Sequence, residues 1–200
     1  MFATIYLQNF YLQAAMRHQP GLSAKPVALI EEQEKKPVII QLNETAEKAG
    51  IHEGMTPSQA LARSLQVVIK VRARQQEKSI QEILLHYAFT LSPFVEATAP
   101  GICTVQFTTW HRHPPDNLLA RHGESGPRYG GRTGSQYHDN VLRVIEQLSE
   151  CEIRAQAGIA ATPDTSFLAA HLAQPILQIE NAKEFLAPLP IETLAVIGAT

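Results

Sequence analysis

Apolar positions along the chain fall into two rhythms. Residues 2–7, 67–71, 102–107, 153–160 and 176–179 are short apolar or β-rich runs, and each predicts a strand. Residues 26–31 and 37–42 are two more such runs, joined by the charged segment EEQEKK, which predicts a hairpin. The second rhythm is helical. Ile80, Ile83, Leu84, Tyr87, Ala88 and Leu91 repeat at i, i+3, i+4 and i+7, so residues 79–91 predict a helix that Ser92-Pro93 stops. Val141, Leu142, Val144, Ile145 and Leu148 mark another. Caps locate the shorter helices. Asn9 precedes 10–16, Asn43 opens a helix ending at Gly50, and Thr56-Pro57 opens one through about Ser64. Thr162-Pro163-Asp164 starts one through about Ala173, with Asp164 and Thr165 as cap and dipole partners. Strands alternating with helices predict a mixed α/β (α+β) fold.

One stretch has neither rhythm. Residues 110–138 are rich in Gly, Pro and His and read as a flexible loop. Its four arginines suit phosphate contact or a merely solvated loop. His111, His113, His122 and His138 are too loosely spaced for a zinc set, and no metal site is expected. The whole chain has 200 residues, 44% hydrophobic and 18% charged, with net charge −2. That is an ordinary globular balance, without the basic excess of a stand-alone nucleic-acid binder. No charged-then-apolar leader and no apolar run near ~18 residues is present, so a cytoplasmic protein without membrane segments is expected. Cys103 and Cys151 are far apart and read as buried reduced thiols. GxSxG, P-loop and GxGxxG motifs are missing, which argues against hydrolase, NTPase and dinucleotide chemistry.

Pro100-Gly101 stands at the head of the strand 102–107, where chemistry is often mounted, yet no acid occurs from Ala97 to Pro115. Several segments together give that gap a meaning. NFYLQAAMRHQPGLSAKPVALI, NETAEKAGIHEGMTPSQAL, LSPFVEATAPGICTVQFT, AGIAATPDTSFLAAHLAQP and FLAPLPIETLAVIG resemble, in order and spacing, the motifs of Y-family (translesion) DNA polymerases. The resemblance covers nearly all of the chain outside 110–138. It implies a palm with a ferredoxin-like sheet from residues 1–8 and 90–180, and fingers from 9–76. A connecting helix would span 77–89, and a loop insertion 110–138. Residues 181–200 would begin the link to a thumb, so a truncated chain is expected.

The departures from that family carry most of the functional content. Its polymerases use two metal ions held by carboxylates. The first Asp of that set falls at Tyr6, and the later Asp-Glu pair falls at Gly101 and Ile102. The Tyr and Arg that attract the triphosphate fall at Glu44 and Glu47, which would repel it, and the later Lys falls at Pro163. Phe10 and Tyr11 match the nucleotide-pocket aromatics and are expected to be vestigial core residues. Kept scaffold and lost centre resemble the catalytically inactive ImuB-type branch. That likeness implies no cofactor and an adaptor role in damage-induced mutagenesis. The implied partners are an error-prone replicative-type DNA polymerase, a RecA-like accessory protein and the sliding clamp, with binding segments beyond these residues. Lys70, Arg72, Arg74 and Lys78 are the best candidate DNA contact, or else a solvated strand edge. Two other functions stay open: an active polymerase with displaced metal ligands, and a DNA-binding repair module.

Overall fold

The structure is a computed structural model, and it describes residues 1–31, 36–107 and 134–194. Its centre is a five-stranded sheet. Strand β1 (Phe2–Tyr6) runs antiparallel to β6 (Ile102–Gln106) on one side and to β7 (Gln156–Ala160) on the other. Beyond β6 lies β5 (Val95–Ala99), and beyond β7 the short parallel strand β8 (Ile176–Gln178). The spatial order is β5-β6-β1-β7-β8. Helix α4 (Arg74–Leu91) leads into β5, and helix α5 (Gly134–Glu150) leads into β7. With β1 first, this is the βαββαβ ferredoxin-like pattern with one added edge strand.

Side chains alternate across the sheet and so divide between two layers. Ala3, Ile5, Leu7, Cys103, Val105, Ala157 and Ile159 face Ile80, Leu84 and Ala88 of α4 and Val141, Val144 and Leu148 of α5 in one buried core. On the other face lies α6 (Pro163–Leu172), packed on β7 and β1. Gly158 makes that approach possible. A Cβ there would meet Ser166 O at 2.2 Å and Ala170 N at 2.3 Å.

A second, three-stranded sheet is inserted between α1 (Phe10–Met16) and α4. Strand β2 (Val27–Ile30) pairs antiparallel with β3 (Ile39–Leu42), as the hairpin pattern predicts, and parallel with β4 (Val68–Val71). Helices α2 (Glu44–Lys48) and α3 (Pro57–Arg63) cover it over a small core of Ala28, Ile39, Ala46, Ile51, Ala60 and Val67. Asn43 Oδ1 accepts from Ala46 N and from Val27 N, so one cap also bolts α2 to β2. Thr56 and Gln59 form a capping box, and Gly50 ends α2 at φ +78°.

The mixed α/β fold is as the sequence predicts, but several bounds move. Helix α4 starts at Arg74, not 79, because its first turn lacks apolar residues. β5 was not foreseen, because VEATA is mostly exposed and lacks an alternating stripe. α5 starts at Gly134, inside the expected loop 110–138; the loop up to residue 133, with three of its four histidines, lies outside the described residues. His138 is on α5, with Nδ1 3.7 Å from Asp139 Oδ1. Asn9 is at the N-cap in the left-handed region, but its side chain donates to Leu42 O instead of capping. The α6 cap is Thr162, accepting from Thr165 N, so Asp164 and Thr165 are not caps. Helix α7 (Ala182–Leu186) follows β8. Both cysteines are unbridged, but only Cys103 is fully buried.

Candidate functional site

The turn between β5 and β6 organises the site. Ala99 pairs with Ile102, leaving Pro100 and Gly101 as the two corner residues. Pro suits the first corner, and the φ of +75° at the second needs glycine. Two bonds anchor the corner. Leu7 N donates to Gly101 O at 2.8 Å, and Gly101 N donates to Gln81 Oε1 at 2.8 Å. The turn is thereby fixed to the end of β1 and to α4. A Cβ at position 101 would stand 2.7 Å from Phe10 Cβ and Cγ. Phe10 is buried in the main core.

The same corner holds Tyr6, directly opposite Ile102 in register. Tyr6, Gly101 and Ile102, which the sequence places together only by resemblance, thus converge in space. Tyr6 stacks on His171 of α6, with centroids 4.1 Å apart and planes at 24°. Burial pushes the Tyr6 phenol above its ordinary range, so it stays protonated at neutral pH. Burial pushes the His171 imidazole down, and its Nδ1 lies 2.9 Å from Phe167 O. Neutral His171 therefore carries its proton on Nδ1 and donates to that carbonyl. A glycine, an isoleucine and a protonated phenol do not fit a pair of divalent cations, which need anionic oxygen ligands. Among the described residues, no three His, Cys, Asp or Glu side chains form a group that could hold a metal ion.

Beside Tyr6 runs a row of hydroxyls. Thr98 and Thr104 are 2.8 Å apart, Thr104 and Thr4 3.3 Å, and Thr4 and Ser166 2.8 Å. Ser166 donates to Pro163 O at 2.7 Å. Each hydroxyl has one proton, so that last bond fixes the order: Thr4 donates to Ser166, Thr104 to Thr4, and Thr98 to Thr104. Buried Thr4 and Ser166 are thus satisfied without a charge. Pro163 itself is exposed at the first turn of α6.

The other candidate positions lie on the inserted sheet and at its junction with α4. Glu44 and Glu47 are exposed in the first turn of α2. Lys48 pairs with Glu44 and holds its carboxyl below the usual range, with a smaller pull from Arg154 just before β7. Tyr11 meets Phe10 edge-on and lies under the Arg72 guanidinium, 3.9 Å from the ring centroid. Arg72 also donates to Glu77 at 2.7 and 2.9 Å and to Glu31 at 2.8 Å, and Arg74 donates to Glu31 at 2.7 Å. The four expected DNA contacts are therefore not one free basic run. Arg72 is a part-buried node of the junction, and Lys70 donates to Gln19 Oε1. Lys78 is exposed, and with Arg74, Gln81, Phe10, Ala99 and Pro100 it lines a groove of about 420 Å³.

Pairing along the sequence gave no sign of His171, Gln81 or the hydroxyl row. The Tyr6–His171, Gly101–Gln81 and Thr4–Ser166 contacts each join residues far apart in sequence. The only usable signal was the polar Thr4 amid the apolar run 2–7, which calls for a buried partner.

Comparison with known proteins places this arrangement. The family model described as the impB/mucB/samB family matches residues 5–171. A protein named DNA polymerase IV, from Ralstonia nicotianae, is 23% identical over 193 residues, covering 94% of this chain and 49% of its own length. The insertion ternary complex of Dbh DNA polymerase superposes with a TM-score of 0.76 at 14% identity, over 99% of this chain and 54% of that one. DinB from Sulfolobus solfataricus superposes with a TM-score of 0.73 at 13% identity, over 96% and 52%. The chain spans about half the length of these relatives.

Proposed function

This chain belongs to the impB/mucB/samB family, and from that premise we propose that it is a polymerase-type module working without polymerase chemistry, as an adaptor in damage-induced translesion DNA synthesis. The reading likens it to the inactive ImuB-type branch. It assigns residues 1–8 and 90–180 to the palm and 9–76 to the fingers.

One observation carries the reading. Where β1 meets the β5–β6 turn, Tyr6, Gly101 and Ile102 occupy the corner, and the space above Gly101 is filled by Phe10. A carboxylate cannot be added at 101 without moving a core aromatic. Exposed Glu44 and Glu47 at the start of α2 work in the same direction, because acids there oppose a triphosphate. Pro163 offers no charge on the other side. What is left is a rigid scaffold able to hold partners. These are the error-prone replicative-type polymerase, the RecA-like accessory protein and the sliding clamp, with weak DNA contact through Lys78 and Arg74.

Primer extension tests the reading. Purified protein, primer-template DNA, all four deoxynucleotides and Mg²⁺ or Mn²⁺ should give no extension. Metal-dependent extension by the pure protein, as the name of the Ralstonia relative would suggest, would show an active enzyme with displaced ligands. In cells, loss of the gene should abolish damage-induced mutagenesis, and substitution Gln8→Ala in the exposed turn after β1 should leave it intact. DNA binding with no retention of a replicative polymerase, accessory protein or clamp would favour the repair-module alternative.

A further inference from the structure

We propose that the groove between α4 and β5 is a docking site for an acidic segment of a protein partner, which lies along β5 as an added strand. The groove has a volume of about 420 Å³. Ala97, Ala99 and Pro100 give it an apolar side, and Arg74, Lys78 and Gln81 line it from α4. It lies on the helix face of the sheet, whereas Tyr6 stacks on His171 of α6 on the opposite face.

Three features select the occupant. The first is an unmet donor. Gln81 Oε1 accepts from Gly101 N at 2.8 Å, while Gln81 Nε2 is buried and has no partner. The Gly101 N–H can only donate, so the side-chain amide cannot be turned round. The group left over is therefore a donor, and the groove that Gln81 lines is where an acceptor can reach it. The second feature is charge. Glu77 is taken by two bonds from Arg72, and Arg74 is bonded to Glu31. Lys78 is exposed and has no ion pair among the described residues, and Glu82, one turn on, lines a separate groove. A carboxylate answers both the amide donor and the ammonium.

The third feature assigns the carboxylate to a polypeptide. β5 is the last strand of the five-stranded sheet and pairs, among the described residues, only with β6. Its outer backbone N–H and C=O groups match those of an extended peptide, which DNA cannot offer. Side chains of an added strand alternate between faces, so every second one would enter the groove. There an Asp or Glu would meet Lys78 and Gln81, and an apolar residue two positions away would cover Ala97 and Ala99. Glu96 does not oppose this. It stands opposite Thr104, whose hydroxyl bonds Thr4 on the α6 side, so it faces away from the groove. Lys78 and Arg74 are also the weak DNA contacts of the adaptor reading, so a bound segment would exclude DNA there. That exclusion rests on the adaptor reading; the docking site stands on the groove alone.

The test uses the whole chain and a displayed library of random twelve-residue peptides. Selected peptides should carry an Asp or Glu two positions from an apolar residue. With such a peptide bound, the backbone amides of residues 95–99 should exchange hydrogen more slowly. Lys78→Glu should weaken binding by at least about tenfold. Lys183→Glu, the same charge change on exposed α7, should leave it unchanged. Gln81→Glu keeps an acceptor for Gly101 N and replaces the unmet donor by a carboxylate oxygen. It should weaken binding as Lys78→Glu does, whereas a role only in holding the turn predicts no change. Lys78 is exposed, so that variant keeps the test open if Gln81→Glu misfolds. Selected peptides without the acid, no slowing at 95–99, or equal losses in Lys78→Glu and Lys183→Glu would overturn the proposal. So would a single-stranded oligonucleotide that Lys78→Glu releases and the peptides fail to displace, because DNA would then be the occupant. Primer extension does not read this groove, so the two proposals fail separately.

Discussion

Gly101 has a φ of +75°, and a Cβ there would stand 2.7 Å from Phe10. Both facts oppose any side chain, one through backbone strain and one through overlap. Gly101→Ala should therefore lower stability by about 1–3 kcal/mol in urea denaturation. The penalty should shrink in a Phe10→Ala background, since the overlap goes and only the strain remains. An unchanged penalty would assign the whole effect to the backbone. Tyr6 and His171 give a pH prediction at the same corner. Burial lowers the His171 pKa in the folded state, so the unfolded chain binds the proton more readily. Stability from this group is then full above its unfolded pKa, near 6.5, and falls as pH drops below it. Wild type should lose more stability between pH 7.5 and pH 5.5 than His171→Phe, which keeps a ring against Tyr6 but has nothing to protonate. Equal losses would remove His171 from the account. Thiol reactivity separates the two cysteines. Burial pushes the Cys103 thiol up to about 12, and Cys151 is partly exposed. One thiol per native chain should react with a maleimide, and the second only on unfolding.

Elements are joined at Arg72, between β4 and α4. Its guanidinium binds Glu77 and Glu31 and covers Tyr11. The Glu31 carboxyl is held below its usual range, first by the hydrogen bond from Arg72 and then with help from Arg74. Arg72→Ala would leave Glu31 and Glu77 without that cation and should lower stability at pH 7, read as a lower urea midpoint than wild type. Because the Glu31 pKa is lowered on folding, its share of stability is present above the unfolded value and disappears as pH falls through the folded one. The gap between wild type and Arg72→Ala should therefore narrow below about pH 4. A gap independent of pH would mean that packing on Tyr11, not charge, is what Arg72 supplies. This node also shows what a sequence can reveal. Local signals did well: the Thr56 cap, the Gly50 helix end and the stripe on α4 each depend on residues within a few positions. Arg72 reads as part of a free basic run only if Glu77, five positions on, is overlooked; its other partner, Glu31, is 41 positions back. β5 escaped notice because an exposed edge strand needs no apolar alternation, and the first turn of α4 because it faces ion pairs, not the core.

Across the whole molecule, the seam between the two sheets is an apolar pack around Phe10, Leu12, Ala14 and Ala15 of α1, crossed by a few hydrogen bonds. Gln13 of α1 exchanges two hydrogen bonds with the Arg154 backbone, at 2.8 and 2.9 Å, and Leu12 N donates to Gln41 Oε1 at 2.9 Å. This seam holds α2, with Glu44 and Glu47, on the side of the molecule where Arg154 leads into β7. The corner at Tyr6, the acids of α2 and the exposed Pro163 belong to three different elements, so no single repair reaches them all. The consequence can be measured. The triple variant Tyr6→Asp, Gly101→Asp, Ile102→Glu supplies three carboxylates, yet it must also displace Phe10 and lose the Tyr6–His171 stack. It should be less stable than wild type and incorporate no nucleotide, because the acids of α2 still oppose the triphosphate. Adding Glu44→Tyr, Glu47→Arg and Pro163→Lys removes that opposition and is the smallest set expected to restore detectable single-nucleotide incorporation. If the triple variant alone incorporates nucleotide with Mg²⁺, the acids of α2 do not guard the site. The proposed loss of chemistry would then rest on the metal corner alone.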